Sequence, residues 1–491
     1  MKMIQVTING TVRSVPKGIG LSALINGDQP CGGRGTCGKC KVLAGGALSP
    51  VTAEERSHLT PKELDAGVRL ACRTTVLGEA WVKTESHAAA IITEGEGTLS
   101  AAAPAFSRYG AAVDIGTTTL AAQLYDPKGR LLAEAVTLNP QLPFGADVMT
   151  RMEQALRGKE GELRRSLVQG VDALLEELKQ KARIGSIDGA VITGNTVMLH
   201  LLCGVSTEPL THAPFHAKEL FGKEFSASEL GLSAMQGTVY LPPCISAFVG
   251  ADTTCALLAS ALCAGEKTAL LADVGTNGEL ALWHEGRLTV CSTAAGPAFE
   301  GAGLAFGMRG EEGAVDRVWT EDGALRTHVI GESAPRGICG SGVIDAIACL
   351  LELEILEDSG YLEEDVPLAG DVTVTAGDIR MVQLAKSAIY AGIRALLHHE
   401  HVSFADVRQF ALAGGFGRYL NKENAARIGL FPKELLSVTH AVGNGALKGA
   451  AMLLLDGEKR DSALTLSRSA FHLELATDPT FMEEYAMGMF F

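Results

Sequence analysis

The chain has no apolar run approaching the roughly 18–20 residues needed to cross a bilayer. Its first eight residues lack the apolar core of a signal peptide and alternate apolar with polar like a strand. The expectation is therefore a cytoplasmic protein with no membrane partner. Positive charge is also short: the formal net charge is -15. An acidic surface gains little from a phosphate backbone, so nucleic acid is not expected as a partner. Aromatics are sparse, at 5%, while glycines number 57, a balance that suits an α/β protein with many tight ligand loops. The eleven cysteines do not pair off, and an odd count without a secretion leader argues against a disulfide framework. Clustered thiols are then metal-ligand candidates. With 491 residues, 47% hydrophobic and 20% charged, the chain has material for large buried cores and about three or four domain-sized units.

Four cysteines stand apart. Cys31, Cys37 and Cys40 follow a C-x5-C-x2-C spacing in Cys-Gly-Gly-Arg-Gly-Thr-Cys-Gly-Lys-Cys, and Cys72 lies farther on. Four thiolates are what a 2Fe-2S cluster requires, two for each iron. The interleaved glycines let backbone N–H groups turn toward sulfur and stabilise its negative charge. A four-cysteine zinc site competes with this reading, but zinc ribbons usually present two C-x2-C pairs and only Cys37 and Cys40 form one. The flanks predict a β-hairpin over 2–15 turning at Asn9-Gly10, a short helix over 61–66 and a closing strand over 76–82. The segment 1–87 resembles the β-grasp ferredoxins. Its x5 spacing is similar to that of the adrenodoxin branch.

Farther on, two segments match. Residues 111–125 and 270–283 each read as an apolar strand, D-x-G-T, then a second strand, aligned on Asp114 and Asp273. Gly116 and Gly275 allow backbone amides to approach phosphate oxygens, with Thr117, Thr118, Thr119, Thr276, Asn277 and Gly278 around them. Asp114 and Asp273 would repel a phosphate directly. They suit a hydrated Mg²⁺ or an attacking water, and are the candidate catalytic pair. The doubled unit resembles the acetate and sugar kinase/Hsp70/actin superfamily, whose two lobes clamp ATP. Three more segments fit that order. Residues 191–196 read as a buried strand, a Gly turn and a helix start. Residues 410–417 run into a glycine turn, Gly414, Gly415 and Gly417, that resembles the superfamily's adenosine motif. Residues 443–450 open a small-residue helix suited to a hinge. The glycine-rich stretches 294–303 and 336–342 are assigned places near the nucleotide. Asp252 reads as a helix N-cap in preference to a metal ligand. The other seven cysteines read as small core hydrophobes, with Cys339 the one exception considered.

The combined fold is α/β (α+β overall): an N-terminal β-grasp ferredoxin domain, 1–87, then a two-lobed actin/Hsp70-like (ribonuclease H-like) ATPase. A linker at 88–108 reads equally as a tether or a packed crossing. The first lobe covers 109–248, the second 249–460, and an extension 461–491. A ferredoxin joined to such an ATPase resembles the reductive activators of corrinoid-dependent enzymes. The resemblance implies an ATP-hydrolysing protein with a 2Fe-2S cluster, ATP and Mg²⁺. It would return Co(II) corrinoid to Co(I) in a cobalamin-type methyltransferase protein. It implies an upstream low-potential electron donor and leaves a homodimer open. Two alternatives stay open: a small-molecule kinase with an accessory cluster, and an activator of another low-potential metalloenzyme.

Overall fold

Asn9 and Gly10 take the positive φ values, 48° and 85°, that a tight hairpin demands. They join β1 (Met3–Ile8) to β2 (Thr11–Pro16) in antiparallel register. The protein is described by a computed structural model covering residues 3–25, 31–84, 99–414 and 420–491. With β3 (Lys41–Leu48), β4 (Val68–Leu70) and β5 (Val76–Lys83), the hairpin completes a five-stranded sheet of order β2-β1-β5-β3-β4. Val6, Leu21, Leu70, Val76 and Val82 form its core. The buried Glu55 is the polar pin of this domain. It accepts from Arg69 at 2.8 Å and 3.0 Å, from the Leu70 amide and from the Thr74 hydroxyl, fixing the turn that presents Cys72.

Two further sheets repeat one plan. In the first lobe β6 (Gly110–Ile115), β7 (Thr119–Tyr125), β8 (Leu131–Leu138), β9 (Gly189–Gly194), β10 (Lys223–Ser226) and β11 (Thr238–Leu241) take the order β10-β11-β9-β6-β7-β8. In the second, β12 (Ala269–Val274), β13 (Gly278–His284) and β14 (Arg287–Thr293) form the antiparallel meander. The strands Gln409–Ala413 and Thr439–Gly443 continue it in parallel, as β9 and β11 do. Each lobe thus has a meander, a long helix (Glu160–Ala182 or Ala376–His399) and two added parallel strands. Parallel strands covered on both faces need continuous apolar runs, which is why β6, β9 and β12 read Ala-Ala-Val, Ala-Val-Ile and Ala-Leu-Leu.

The lobes exchange helices at their junction. The helix Ala251–Ala259 follows the first sheet, yet its Ala256 and Leu257 share a core with Ala269, Leu271 and Ala411 of the second. The helix Gly445–Leu455 follows the second sheet and packs Leu447, Ala450 and Leu454 onto Ala112, Tyr125 and Val191 of the first. The two helices meet where Gly449 lies against the Cys255 backbone carbonyl. Residues 99–105 run along the first lobe, with Leu99 N donating to Gly129 O and Ala105 N to Leu454 O. The remainder of the expected linker, up to 98, lies outside the described residues. Residues 489–491 dock on the second lobe, where Gln383 and Lys386 donate to the Met489 and Phe490 carbonyls. Among the described residues no helix is long and apolar enough to cross a membrane.

A Cβ at position 449 has no room, because the atoms it meets are backbone. The substitution Gly449→Ala is expected to lower the urea midpoint, at a cost of about 1–3 kcal/mol from overpacking. An unchanged midpoint would show that the helix pair relaxes freely.

Candidate functional site

The cysteine loop brings its thiols together in two pairs. Cys40 and Cys72 lie with sulfurs 3.2 Å apart. Cys31 and Cys37 lie close enough for each thiol to influence the other's ionisation. Gly32, Gly33, Gly35 and Gly38 all take positive φ, which lets the loop curl around the sulfurs. Within each pair one thiol is acidified and the other is not. Burial opposes ionisation of Cys31, but the Thr36 amide, the Cys37 thiol and the Gly35 amide outweigh it and bring Cys31 down to about 7. Cys40 falls to about 6, chiefly through the Cys72 thiol. Cys72 is pushed up by Cys40 in turn, and Cys37 is pushed up by burial. Four thiols gathered in two pairs, with Cys31 and Cys40 acidified, form a donor set suited to an iron–sulfur group. Among the described residues no cluster of three or more metal-binding side chains is shaped around a single ion.

The loop does not stand free. A Cβ on Gly32 would lie 2.9 Å from the Phe144 carbonyl and 3.0 Å from the Thr150 methyl, so its backbone packs on the first lobe. Arg34 lies 3.7 Å from Glu153 on the same helix, Val148–Gln154. On the other side Lys39 Nζ donates to the Leu304 carbonyl at 2.9 Å, in the second lobe. The cysteine loop thus bridges both lobes.

The two D-x-G-T tips face each other across the cleft between the lobes. Glu300 joins them: Thr118 Oγ1 donates to Oε2 at 2.7 Å, while Thr276 N and Oγ1 donate to Oε1 at 2.7 and 2.9 Å. An anion is therefore already held by donors from both hairpins, the arrangement a phosphate requires. Asp114 and Asp273 hold equivalent half-buried positions near the ends of β6 and β12, and both, like Glu279, lie close enough to Asp252 to feel its charge. Loss of water pushes Asp114 up to about 7, with Asp252 adding to it and the Asn444 amide, at 3.1 Å, opposing it. Asp273 is also pushed up to about 7, by burial and then by Asp252, Asp114 and Glu300. Burial and the charges of Asp252 and Asp273 raise Glu279 well above the usual carboxylate range.

The remaining sequence candidates fall as follows. Thr117 accepts from Asn195 Nδ2 at 3.3 Å through its hydroxyl and from the buried Arg151 through its carbonyl. Gly116 O accepts from Asn139, and Gly275 N donates to Asn277 O at 3.0 Å, closing the second tip. Thr119 and Gly278 begin the outgoing strands β7 and β13. Gly414 takes φ +102°, and a Cβ there would meet the Val274 carbonyl at 2.6 Å, so the turn lies hard against β12. Gly415 and Gly417 lie outside the described residues. Asp252 is not the helix cap expected. Gly250 is the cap, and Asp252 in the first turn bonds Thr253 N and adds its charge to the acidic cleft. Cys339 caps the helix Gly340–Glu352 and is buried, its sulfur 3.3 Å from Ser341 Oγ. Glu300, Glu279, Arg151 and Asn444 were not singled out. Glu279, Asn444 and Glu300 lie within the segments 270–283, 443–450 and 294–303 that carry a pattern, whereas Arg151 comes from a helix with no motif of its own.

Comparison with known proteins adds the following. The chain is 36% identical over 419 residues to the corrinoid activation enzyme RamQ of Eubacterium limosum, a match covering 78% of this chain and 70% of that one. The chain belongs to the RACo family. The model of the RACo middle region matches residues 109–264 of this family member, and that of the C-terminal RACo ASKHA domain matches 267–491. The [Co(II) methylated amine-specific corrinoid protein] reductase of Methanosarcina barkeri is 26% identical over 413 residues, covering 77% and 76% of the two chains. A solved RACo-type structure, a reductive activator for corrinoid,iron-sulfur protein, superposes with a TM-score of 0.72 at 26% identity. It covers 99% of this chain and 98% of its own. The ASKHA assignment agrees with the two repeated lobes described above.

The acidic cleft of this RACo member sets a pH dependence. A carboxyl that ionises near 3.8 unfolded but near 7 folded binds more protons in the native state. Its contribution to stability is present below the lower value and lost as pH rises through the window from about 4 to about 7. Asp114→Asn keeps an amide beside Asn444 and removes that slope. Without nucleotide or Mg²⁺, the variant is expected to lose less melting temperature than the parent between about pH 5 and pH 7.5. Parallel profiles would contradict the raised Asp114.

Proposed function

We propose that this chain is an ATP-driven one-electron reductant that returns the Co(II) corrinoid of a methyltransferase protein to Co(I). What carries the proposal is one juxtaposition: the cysteine loop touches both lobes, and donors from their two hairpins converge on a single carboxyl group, that of Glu300. Cys31 and Cys37 would hold one iron and Cys40 and Cys72 the other, matching the two sulfur pairs, and a 2Fe-2S group bound there supplies a one-electron carrier. Ferredoxin-type carriers work near about -400 mV, and Co(I) corrinoid is harder still to reach, so a second free-energy source is required. The Thr118 and Thr276 hydroxyls and the Gly116 and Gly275 backbone would bind the ATP phosphates. Asp114 and Asp273 would orient a hydrated Mg²⁺ and the attacking water. Gly414 would lie beneath the adenosine.

Nucleotide-dependent resetting of the lobes gives the needed coupling, because a ligand that binds two states unequally shifts their populations. The electron enters from a low-potential donor and leaves as Co(II) becomes Co(I), one for one. The eleven free thiols are consistent with the reducing cytoplasm, where we place the protein.

The test is anaerobic spectroscopy of the reduced protein with a Co(II) corrinoid protein of a methyltransferase system. Loss of the Co(II) band is expected with ATP and not without it. Asp273→Asn should keep the iron–sulfur spectrum and slow the ATP-dependent reaction by about 10²-fold or more. Reduction that ignores ATP, or phosphorylation of an added sugar or acid with no change at cobalt, would overturn the proposal.

A further inference from the structure

Glu300 occupies the place that the hairpins would give to phosphate. It takes the hydroxyls of Thr118 and Thr276 and the Thr276 amide, three of the donors expected to grip the nucleotide. A carboxylate and a phosphate cannot share those donors, because like charges at contact repel strongly in a cleft. Glu300 also spans the lobes: it belongs to the second, and Thr118 to the first.

The same few residues reach the cysteine loop. Four positions past Glu300, the Leu304 carbonyl receives Lys39 Nζ, and Ala305 N is anchored to Asp378 at 2.7 Å. On the first lobe Arg151 ties the Thr117 carbonyl of the hairpin to the Gly145 carbonyl, next to Phe144. Phe144, Thr150 and Glu153 are the surface on which Gly32 and Arg34 rest. Each hairpin is therefore joined within one side chain or one short turn to one half of the loop's seat. A rotation between the lobes separates the two halves and loosens the seat.

We infer that Glu300 is a phosphate-displaced latch: it holds the nucleotide-free lobes together through Thr118 and Thr276, and its displacement releases the cysteine loop from its seat across the cleft. This rests on the ATP reading proposed above. Glu300 is a positioning residue, acting on the cluster domain through the lobes. The latch makes the seated domain the resting state and couples its release to the nucleotide, so that a cluster in this loop would turn to a partner only when ATP is bound.

The sign of a binding change tests it. Titration calorimetry with Mg²⁺ and a non-hydrolysable ATP analogue is done on the whole protein, Glu300→Gln and Glu300→Ala. If the carboxylate competes with phosphate, both variants bind the analogue more tightly, by about tenfold, since each 1.4 kcal/mol is tenfold. The isosteric glutamine guards against a folding defect in the alanine. Hydrogen exchange read by mass spectrometry supplies the second measure. Amides of 31–40 should exchange faster on adding analogue to the parent, and should already be fast in Glu300→Ala without it, since the glutamine can keep the hydrogen bonds to Thr118 and Thr276. Weaker or equal binding in the variants makes Glu300 a metal ligand or a bystander and overturns the latch while leaving the ATP reading intact. Unchanged exchange in 31–40 overturns the release. No binding by the parent overturns the ATP reading itself, and the latch with it.

Discussion

Carboxylates packed against one another in a cleft must be neutralised, and much of this architecture follows from that demand. Burial, together with the charge of Asp252, raises the proton affinity of Asp114, Asp273 and Glu279, and Glu300 adds its charge to the last two. Nature has two remedies for such a site: keep the acids protonated, or supply a cation. The duplicated sheets explain why the acids meet here. Each lobe carries its aspartate at the equivalent place near the end of β6 or β12, so the pseudo-symmetric halves bring Asp114 within electrostatic reach of Asp273. The exchanged helices 251–259 and 445–455 then hold the halves in contact through glycine-sized gaps.

The cysteine domain is a passenger on this clamp with grips on both sides. Its loop carries the thiols, and the same loop carries Gly32, Arg34 and Lys39, which touch the body. In the proposed reading, electron carrier and nucleotide site are therefore connected without a long pathway. A lobe movement of small amplitude is enough to disturb a seat assembled from both lobes, since packed interfaces switch between discrete arrangements and do not deform continuously.

Much of this was legible in residue order. The Asn9-Gly10 turn, the short helix Pro61–Asp65 and the closing strand Val76–Lys83 follow from local chemistry and lie where that chemistry puts them. The doubled D-x-G-T announces two related lobes because both halves retain the same turn. The RACo assignment and the two-lobed ASKHA fold agree with that reading. What residue order could not show is long-range. Glu300 looks like one acid in a glycine-rich stretch, and only the folded chain sets it between Thr118 and Thr276. Arg151 looks like an ordinary helix residue, yet is buried with its charge on the Thr117 carbonyl. Asp252 resembled a cap because an aspartate near a helix start usually is one. Here Gly250 takes that place and frees the carboxyl for the cleft. The crossing of the helix Gly445–Leu455 to the other lobe depends on tertiary packing that no local pattern encodes.

Proton counting on nucleotide binding tests the central claim, that the clamp is an acidic cleft awaiting a cation and phosphate. Calorimetry at about pH 6.5 in buffers of different ionisation enthalpy gives the protons released when the Mg²⁺–analogue complex binds. The account predicts that the parent releases more protons than a variant carrying both Asp114→Asn and Asp273→Asn, because the carboxyls it holds near pH 7 ionise when the cation arrives. Equal release from the two proteins, or proton uptake by the parent, would contradict it.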